Sequence, residues 1–399
     1  MKLIVQKYGG SSVADVDKIK LIAEQIATVK KEGFDVVVVV SAMGKTTNQL
    51  IEMAKSISPD PPKREMDMLL STGERTTMAL LCIALNKLGV KAISLTGSQA
   101  GIITNDRYNE ARVIEVRPFR VQDELAKDQV VVIGGFQGVS YKRDITTLGR
   151  GGSDTSAVAL AAALNAERCE IYSDVDGVYT SDPNLIKDAK HLPEISYQQL
   201  QEMSEAGAKV LNAQAVQFAK EAKIALHARS TFQPGKETIV KEIPVKETSD
   251  VLAVVFEKEI IRIYIHDSEK INWVLNHLEE NQIAIKEFHQ SGIAGDKGFR
   301  CSFIISTENN YNWEKIKSNL EDKLRDGIYI NESLGALSVI GEGFNKNSSV
   351  LKSTLNLLKD NSLEYFGVNT TSFRISILVE RELLDQAVKV CHEFWINKS

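Results

Sequence analysis

A glycine-rich loop directly precedes an alanine-rich helical stretch in LGRGGSDTSAVALAAALNA, residues 148–166. Glycine loses the most conformational freedom on folding, so three glycines in one loop indicate a left-handed backbone or a close approach to a ligand. We expect the helix cap at Ser153, Asp154 or Thr155, with the free N–H groups of the first turn facing the loop. Such a helix end binds anions, and Arg150 adds a forked donor that suits carboxylate or phosphate. Asp154 then either caps the helix or opposes a cation that accompanies the anion.

Two lysines could serve the same anion. Lys7 ends the apolar run LIVQK and is followed by YGGSS, so it could hold phosphate as a point charge. Lys209, in SEAGAKVL, could reach into the same crevice. Each lysine also has a plainer interpretation, a solvated side chain at a turn for Lys7 and on a helix surface for Lys209.

An acidic residue and a glycine interrupt an apolar helical run in LLSTGERTT, residues 69–77. A glycine inside a helix costs about 1 kcal/mol relative to alanine, so Gly73 indicates a close approach of another segment. Glu74 beside it could bind an ammonium group or belong to an ordinary buried ion pair.

The segment GKTT at residues 44–47 is not a Walker A motif, because that motif needs a glycine where this chain has Val39. We therefore expect Thr46 and Thr47 mainly to cap a helix, with ligand contact left open.

A polar segment, IYSDVDGVYTSDP at residues 171–183, follows another apolar run. Ser173 and Asp174 would stand at a strand end where they could contact a ribose, and Tyr179 could stack on a base. The alternative is a simple Asp-Gly hairpin turn. Together with the lysines, the arginine and the glycine loops, the segment favours phosphoryl transfer, where catalysis is mostly positioning and charge neutralisation. None of the six histidines has metal-ligand spacing, and we predict no protein-held metal site.

Short apolar runs alternate with helical patterns through the first half of the chain, which predicts a parallel sheet covered by helices on both faces. Five consecutive valines at 36–40 support a strand buried on both sides. The polar groups and glycines cluster after these runs, at the carboxyl ends of the strands, where such sheets form their ligand crevice.

The composition is that of an ordinary globular protein, with 399 residues, 43% hydrophobic and 25% charged residues. The length allows two or three domains, and a formal charge of −5 argues against nucleic acid or an anionic membrane as a partner. The four cysteines are scattered and predict reduced thiols in a cytoplasmic protein. We find neither a signal peptide nor a membrane-spanning run in the sequence.

The pattern changes after about Lys236, where a polar segment predicts a domain boundary. Beyond it, residues 260–306 and 336–394 each read strand, helix, strand, strand, followed by a further helix. The repeat predicts two small α+β modules.

Four segments resemble signatures of the aspartokinases of the amino-acid kinase superfamily, in the same order: KYGGSSV (7–13), TLGRGGSD (147–154), SDVDGVYTSDP (173–183) and AGAKVL (206–211). The repeated modules resemble the two ACT domains that regulate those enzymes. The resemblance covers essentially the whole chain. It implies a three-layer αβα kinase domain with a mainly parallel sheet, plus two ferredoxin-like α+β ACT domains.

The reaction that the resemblance implies is transfer of the ATP γ-phosphoryl to the β-carboxylate of L-aspartate, the first step toward lysine, threonine and methionine. Mg²⁺ would bridge the phosphates, and no general base is needed because the nucleophile is already ionised. Lys7 would stabilise the transferring phosphoryl and Asp154 would orient Lys7. The amino acid would be held by Arg150 at its α-carboxylate and by Glu74 at its α-ammonium, with Ser41 and Thr47 lining the pocket. The nucleotide contacts would be Gly9, Gly10, Ser11, Ser173, Asp174, Tyr179, Asp182 and Lys209.

The resemblance also implies the domain order. The kinase domain would cover 1–236, and a linker with the first strand of the second ACT domain 237–257. The first ACT domain would be inserted at 258–336, and the remainder of the second would be 337–399. The strand VLAVVF (251–256) should therefore pair with the C-terminal module. The chain ends after this module, as in monofunctional members, and differs from the family at Asn212 and Gln214, where His and Pro are usual.

An end-product amino acid, lysine in preference to threonine, would bind between two chains and inhibit from a distant site. Its pocket would use the turn from His266 and Asp267 to Ile271, a strand over Gln282–Ile285 that includes Ile283, and Ser291. Lysine-sensitive members tend to have a carboxylate where this chain has Lys286, so Asp267 could meet the effector ammonium instead. ACT pairing makes a homodimer the minimum assembly, and leaves open a dimer of dimers.

Two rival functions remain open. Another amino-acid kinase, for glutamate or acetylglutamate, would share Lys7 and the glycine loops but gives no reason for Glu74 with Arg150 or for tandem ACT domains. A non-catalytic amino-acid sensor would not need the complete set of polar residues.

Overall fold

The computed structural model describes residues 2–149, 151–208, 211–233, 235–244, 250–281, 283–291, 300–306 and 313–397. These residues form two compact units. The first contains the described residues of Met1–Tyr179, His191–Ser204 and Lys209–Pro244, and the second those of Thr180–Lys190, Glu205–Ala208 and Val245–Ser399.

The first unit alternates strands and helices. Its strands are β1 Lys2–Tyr8, β2 Phe34–Val40, β3 Ala92–Leu95, β4 Ile102–Thr104, β5 Val113–Val116, β6 Val130–Gly134, β7 Gln137–Ser140, β8 Ile145–Thr147, β9 Arg168–Ser173, β10 Val178–Tyr179, β11 His191–Leu192, β12 Glu194–Ser196, β13 Leu226–Ser230 and β14 Glu237–Lys241. Its helices are α1 Val16–Lys31, α2 Thr46–Ile57, α3 Lys63–Lys87, α4 Phe119–Leu125, α5 Gly152–Ala163, α6 Tyr197–Glu205 and α7 Ala213–Ala222.

Eight strands form the main sheet, in the order β12-β14-β13-β9-β1-β2-β6-β3. Every neighbouring pair is parallel except β13 with β14. The five valines of β2 are fully buried, which explains why this strand shows no polar alternation. The mainly parallel sheet predicted from the sequence is confirmed.

Alternation along β1 separates the two faces of the sheet. Ile4 and Tyr8 pack into a hydrophobic cluster with residues of α1 and α3. Lys7 points to the other face, where α5 lies against β1 and packs on α7. The first unit therefore has the three layers expected, helices on both faces of one sheet.

A smaller sheet, in the order β5-β4-β7-β8, carries the chain into the glycine loop. Its last strand ends at Thr147, directly before that loop. This sheet also connects the loop to α3, because β8 packs against that helix.

The second unit is built from two similar modules. Its strands are β15 Val251–Glu257, β16 Ile260–Ile265, β17 Ile285–Ser291, β18 Arg300–Ser306, β19 Ile328–Asn331, β20 Leu334–Gly341, β21 Tyr365–Thr370 and β22 Arg374–Glu380. Its helices are α8 Ile271–Glu280, α9 Trp313–Leu324, α10 Ser349–Asp360 and α11 Leu384–His392.

The two modules have sheets of the orders β17-β18-β16-β19 and β15-β20-β22-β21. The sheet that contains β16 packs on α8 and α9, and the sheet that contains β20 packs on α10 and α11. β15 pairs antiparallel with β20, so the strand VLAVVF joins the C-terminal module as expected. The strand predicted at Gln282–Ile285 starts too early, although Gln282 itself lies outside the described residues. β17 begins at Ile285, because the backbone N–H of Ile283 still closes a turn onto Leu278.

One segment of the nucleotide signature belongs to the second unit. The chain leaves the first unit after Tyr179 and returns at His191, and these two residues are paired between β10 and β11. Within the segment, Ile186 is 7% exposed and packs in the hydrophobic cluster of α10 and α11. The Thr180 hydroxyl contacts His392 Nε2 at 2.9 Å. The segment therefore contributes to the core of the C-terminal module.

Among the described helices, α3 alone is long and apolar enough to cross a membrane, with a mean hydropathy of 1.2 over 18 residues. Half of that stretch is buried inside the structure, as is typical of a core helix.

Candidate active site

A buried ion pair lies where β1 ends and α5 begins. Lys7 Nζ lies 2.6 Å from Asp154 Oδ1, and the two side chains are 12% and 10% exposed. Asp154 occupies the first turn of α5, where the helix dipole stabilises its negative charge. The contact leaves a lysine ammonium fixed in place at the carboxyl edge of the sheet.

The helix α5 begins differently from the prediction. Its N-cap is Gly151 with φ +71°, and none of Ser153, Asp154 and Thr155 caps it. A side chain at Gly151 would meet Asn212, since a Cβ there would lie 2.5 Å from Asn212 Nδ2. The left-handed φ and this close approach together require glycine. The side chains predicted as caps are thereby free for other contacts.

The cap predicted for α2 is also wrong. The N-cap of α2 is Lys45, and Thr46 and Thr47 are already helical. The Thr46 hydroxyl donates to the carbonyl of Met43 at 2.6 Å instead of accepting from the helix backbone. Thr47 is half-buried in the first turn, beside the loop that follows β2.

A chain of contacts connects Asp154 to Glu74. Ser153, adjacent to Asp154, accepts a hydrogen bond from the Ser41 hydroxyl at 3.1 Å. The next backbone N–H, that of Ala42, donates to Glu74 Oε1 at 3.0 Å. Three elements, α5, the end of β2 and α3, thus bring their polar groups to one edge of the sheet.

Glu74 is an incompletely satisfied buried carboxylate. It is 4% exposed, and its Oε2 has no hydrogen-bond partner within the part of the chain that the structure describes. Burial raises its pKa from 4.5 to about 7. A cationic ligand would give Oε2 a partner and favour the ionised form, as expected for a binding group.

The loop after β1 brings backbone close to the ion pair. A Cβ at Gly9 would lie 3.5 Å from Lys7 Nζ, and one at Gly10 would lie 3.0 Å from the carbonyl oxygen of Ala42. The N–H of Gly9 donates to the carbonyl of Tyr172 at 3.2 Å. Ser11 is exposed on this loop.

The expected nucleotide residues after β9 form a turn. The Ser173 hydroxyl donates to the carbonyl of Val175 at 3.1 Å, and Asp174 is exposed. Tyr179 donates to Asp176 Oδ1 at 2.7 Å. Burial and this acceptor raise the Tyr179 pKa to about 12, so the phenol stays protonated. Asp182 accepts from the backbone and side chain of Asn184, inside the segment of the second unit.

Three residues predicted as site residues lie outside the described residues. These are Arg150, Lys209 and Gln282.

The expected effector residues do not all lie together. His266, Asp267 and Ser291 lie where β16 and β17 end, whereas Ile283 lies just before β17 begins, at the opposite end of the module. His266 is exposed, and Asp267 accepts from the N–H of Glu269 at 3.0 Å. Ile271 and Ile283 are buried in the hydrophobic cluster of α8 and α9. Ser291 is exposed at the end of β17. Only Asp267 among these offers a charged side chain to a ligand.

The chain matches the model of the amino acid kinase family over residues 2–230. It is 41% identical to the aspartokinase of Bacillus sp. (strain MGA3), over 98% of this chain and 97% of that protein. The aspartokinase of Mycolicibacterium smegmatis is 39% identical, over 98% of this chain and 96% of that protein. The chain belongs to the aspartokinases of the amino acid kinase family.

Solved structures agree with this fold. E. coli aspartokinase III in complex with aspartate and ADP, an R-state, has a TM-score of 0.84 at 23% identity, over 98% of this chain and 99% of that one. The same enzyme in complex with lysine and aspartate, a T-state, has a TM-score of 0.74 at 23% identity, covering 99% of each chain. These structures confirm the fold, and the curated relatives confirm the family and the aspartate kinase activity predicted from the sequence.

In this aspartokinase, Asn212 stands where the family usually has His, yet it serves the local fold. Its side chain accepts from the backbone N–H of Gln214 at 2.8 Å and caps α7. It also packs against Gly151 at the start of α5. Since asparagine is a strong N-cap residue, the departure is compatible with a helix in this position.

Two polar residues of the site were not predicted for the roles that the structure gives them. Ser153 was expected only as a cap, whereas it bonds Ser41. Asp67, which belongs to none of the motifs, is fully buried on α3. Its only signal is a spacing of seven residues from Glu74, which places both carboxylates on one side of the helix.

The close approach predicted at Gly73 is present. A Cβ at Gly73 would lie 2.8 Å from the Ala42 Cβ, in the loop whose N–H binds Glu74. We expect Gly73→Ala to lower the free energy of unfolding by about 1–2 kcal/mol, because overpacking outweighs the gain in helix propensity. Calorimetry should show a thermal midpoint roughly 2–6 °C lower.

The matched control for Gly73→Ala is the double variant with Ala42→Gly, which removes the opposing methyl group. The double variant should recover most of the lost midpoint. A single variant as stable as the wild type would show that the approach of α3 to this loop is not tight.

Proposed function

We propose that this aspartokinase transfers the γ-phosphoryl group of Mg-ATP to the β-carboxylate of L-aspartate, and that lysine inhibits it through the C-terminal modules. The observation that carries the catalytic part is the continuous set of contacts from Lys7 and Asp154 through Ser153 and Ser41 to Glu74. It joins a fixed cation for a phosphoryl group to an anionic site for an ammonium group.

Lys7 acts on the transferring phosphoryl group. Charge spreads over the phosphoryl oxygens in the transition state, and a fixed ammonium in a buried site stabilises it without reorganisation. Asp154 holds Lys7 Nζ at 2.6 Å and so prevents the side chain from moving into solvent. No residue is needed as a base, because the β-carboxylate of aspartate is ionised at neutral pH.

Glu74 and its neighbours select the acceptor. Its Oε2, which has no partner among the described residues, takes the α-ammonium of aspartate. By resemblance, Ser41 and Thr47 line the pocket, and Arg150 takes the α-carboxylate in a bidentate pair. The nucleotide, also by resemblance, lies along Gly9, Gly10, Ser11, Ser173, Asp174 and Tyr179 of the first unit, with Lys209 on its phosphates, and Mg²⁺ arrives bound to those phosphates as part of the substrate. The nucleotide contact of Asp182 stays a prediction from the sequence.

The product can be trapped directly. With Mg-ATP and L-aspartate, we expect ADP release together with an acyl phosphate that hydroxylamine converts to aspartyl hydroxamate. Replacing aspartate by glutamate should abolish the product. Formation of glutamyl hydroxamate would show that the chain is a kinase for another amino acid. If neither substrate gives a hydroxamate, the result would favour a non-catalytic sensor.

Lysine is the proposed effector, with Asp267 as the acceptor of its ammonium. Asp267 is half-exposed at a turn, and its carboxylate lies 3.5 Å from Lys270 Nζ. The T-state structure of E. coli aspartokinase III, with lysine and aspartate, supports lysine as the effector to test first.

We expect lysine to suppress hydroxamate formation, and Asp267→Asn to raise the half-inhibiting lysine concentration about tenfold by removing one charge-assisted hydrogen bond. Activity without lysine should not change. Asp322→Asn, an exposed change on α9, is the control and should leave inhibition intact. Inhibition by threonine alone would replace lysine as the effector.

We propose that two chains pair through the C-terminal modules, in a homodimer or a dimer of dimers. β21 and β17 are edge strands of their sheets. They expose Tyr365, Phe366, Val368 and Phe288 at about 40% each. Exposed apolar edge strands favour pairing with a second chain. Light scattering should give at least twice the 44.2 kDa chain mass.

We also propose a cytoplasmic location, supported by Cys82, Cys169, Cys301 and Cys391, which are all buried free thiols. The boundaries given for the kinase and ACT domains likewise stay proposals.

A further inference from the structure

Asp67 is a fully buried carboxylate that the proposed mechanism does not use. It lies on α3 with 0% exposure. Its oxygens accept hydrogen bonds from the Asn109 N–H at 2.9 and 3.1 Å, from the Thr147 N–H at 3.0 Å and from the Thr147 hydroxyl at 2.6 Å. All the hydrogen bonds that the structure describes at this carboxylate come from neutral donors. Burial of a carboxylate on such donors is costly and indicates a specific purpose.

The two segments that Asp67 binds flank the glycine loop. Thr147 is the last residue of β8, four positions before the helix cap Gly151. Asn109 lies in the turn between β4 and β5, with φ +69°. A Cβ at Gly149 would lie 3.3 Å from the Asn109 carbonyl oxygen. Asp67 therefore fixes both the strand that enters the loop and the turn that packs against it.

The same bonds connect the loop to Glu74. Residues seven apart on a helix lie nearly two full turns apart and on one side, so α3 holds the Asp67 and Glu74 carboxylates at a constant separation. Glu74 binds the end of β2 through Ala42, and Asp67 binds the end of β8 through Thr147. One rigid helix thus sets how far the start of α5 lies from Glu74.

We propose that Asp67 is a positioning residue for the amino-acid substrate. By bonding Thr147 and Asn109, it holds the first turn of α5, with Ser153 and Asp154, at a fixed distance from Glu74. This inference rests on the proposed function, because it assigns the substrate that Glu74 binds. Asp67 itself touches no reacting atom. Its effect falls on the amino acid rather than on the nucleotide, since the bonds described at Asp67 go to Asn109 and Thr147, neither of which is a proposed nucleotide residue.

The variant Asp67→Asn tests the proposal. The amide keeps the shape of the side chain, but its NH₂ group would face the N–H and O–H donors that the Asp67 carboxylate accepts from. These donors would have to move away, and the first turn of α5 would shift with them. We expect the KM for aspartate to rise about tenfold or more, which corresponds to losing one good hydrogen bond to a charged group. The KM for ATP should stay within about twofold, because nucleotide contacts are untouched. A merely structural role would lower the thermal midpoint and the active fraction without separating the two KM values.

Two variants of Thr147 test the proposal if Asp67→Asn does not fold. Thr147→Val removes only the hydroxyl donor, and Thr147→Ser keeps it, at a fully buried position. We expect Val to raise the aspartate KM about threefold and Ser to leave it close to the wild type, as the loss of part of a hydrogen-bond network predicts.

An unchanged aspartate KM in Asp67→Asn, an equal rise in both KM values, or equal KM values in the two Thr147 variants would overturn the proposal. Failure of the proposed function looks different. In that case the wild type itself forms no aspartyl hydroxamate. If only this inference fails, the wild type is active and the variants have the same KM for aspartate as the wild type.

Discussion

Replacing Lys7 by alanine is expected to lower the turnover number by about a thousandfold or more, with a much smaller effect on the KM for aspartate. The lysine is the fixed cation of the site, and removal of such a group from a buried charge-stabilising site costs several kcal/mol in the transition state. Its loss also leaves Asp154, 2.6 Å away in the wild type, as an unbalanced negative charge near the phosphoryl group. Initial rates of ADP release and hydroxamate formation measure the effect.

Stability must be separated from catalysis in this variant. Breaking a buried ion pair by removing one partner destabilises a protein by about 3–5 kcal/mol. The double variant Lys7→Ala with Asp154→Asn removes the uncompensated charge, so it should recover the thermal midpoint but not the turnover.

Lys2→Ala is the matched control for Lys7→Ala, because Lys2 lies on the same strand in an ion pair with Glu167 and its side chain is 71% exposed. We expect full activity from it. If Lys7→Ala keeps more than a tenth of the wild-type turnover number, Lys7 does not have the catalytic role proposed for it.

Glu74→Gln is expected to impair function and improve stability at the same time. Without the negative charge, the α-ammonium of aspartate loses its partner, and the KM for aspartate should rise about a hundredfold. The amide keeps an oxygen for the Ala42 N–H, so the local hydrogen bond at 3.0 Å can persist. Steady-state kinetics with varied aspartate measures the loss.

The stability effect of Glu74 has a definite direction with pH. Burial raises the pKa of Glu74 from 4.5 to about 7, so the folded state holds its proton more tightly than the unfolded chain. The stability from that proton is complete below about pH 4.5 and is lost as the pH rises through about 7. At pH 8 the ionised group therefore costs about 3 kcal/mol, at roughly 1.4 kcal/mol per pKa unit.

Glutamine does not titrate, so the variant should exceed the wild type in thermal midpoint at pH 8, and the difference should shrink toward pH 5. Aspartate should stabilise the wild type but not the variant. Glu65→Gln is the control, an exposed glutamate on the same helix, and should show neither effect. A pH-independent difference between Glu74→Gln and the wild type would mean that Glu74 is not a buried titrating group.

The sequence predicted the parts of this fold that follow from local pattern. Five consecutive valines identify β2, and the alternation of strands and helices identifies the parallel sheet. The glycine loop and the polar residues after β1 and β9 marked the carboxyl edge of that sheet. The contact of Lys7 with Asp154 followed from resemblance, and the structure contains it, while the catalytic role stays a prediction.

The parts that were missed depend on partners far away in the chain. The predicted caps of α5 and α2 were wrong. Gly151 caps α5 in a left-handed conformation, and Ser153 is bonded by Ser41 from the loop after β2. The Thr46 hydroxyl donates to the carbonyl of Met43 instead of capping α2. Asp67 has partners 42 and 80 residues away, which no periodicity reveals. The start of β17 was misplaced because a turn continues from α8.

The segment Thr180–Lys190 limits where the gene of such a protein can be divided. Its Thr180 carbonyl accepts from the Val254 N–H at 2.8 Å, and Ile186 is part of the core beneath α10 and α11. A gene cut near residue 244 would therefore leave apolar side chains uncovered in one product and a gap in the other. A chimaera that exchanges the C-terminal module between two such proteins therefore has to exchange the segment Thr180–Lys190 with it.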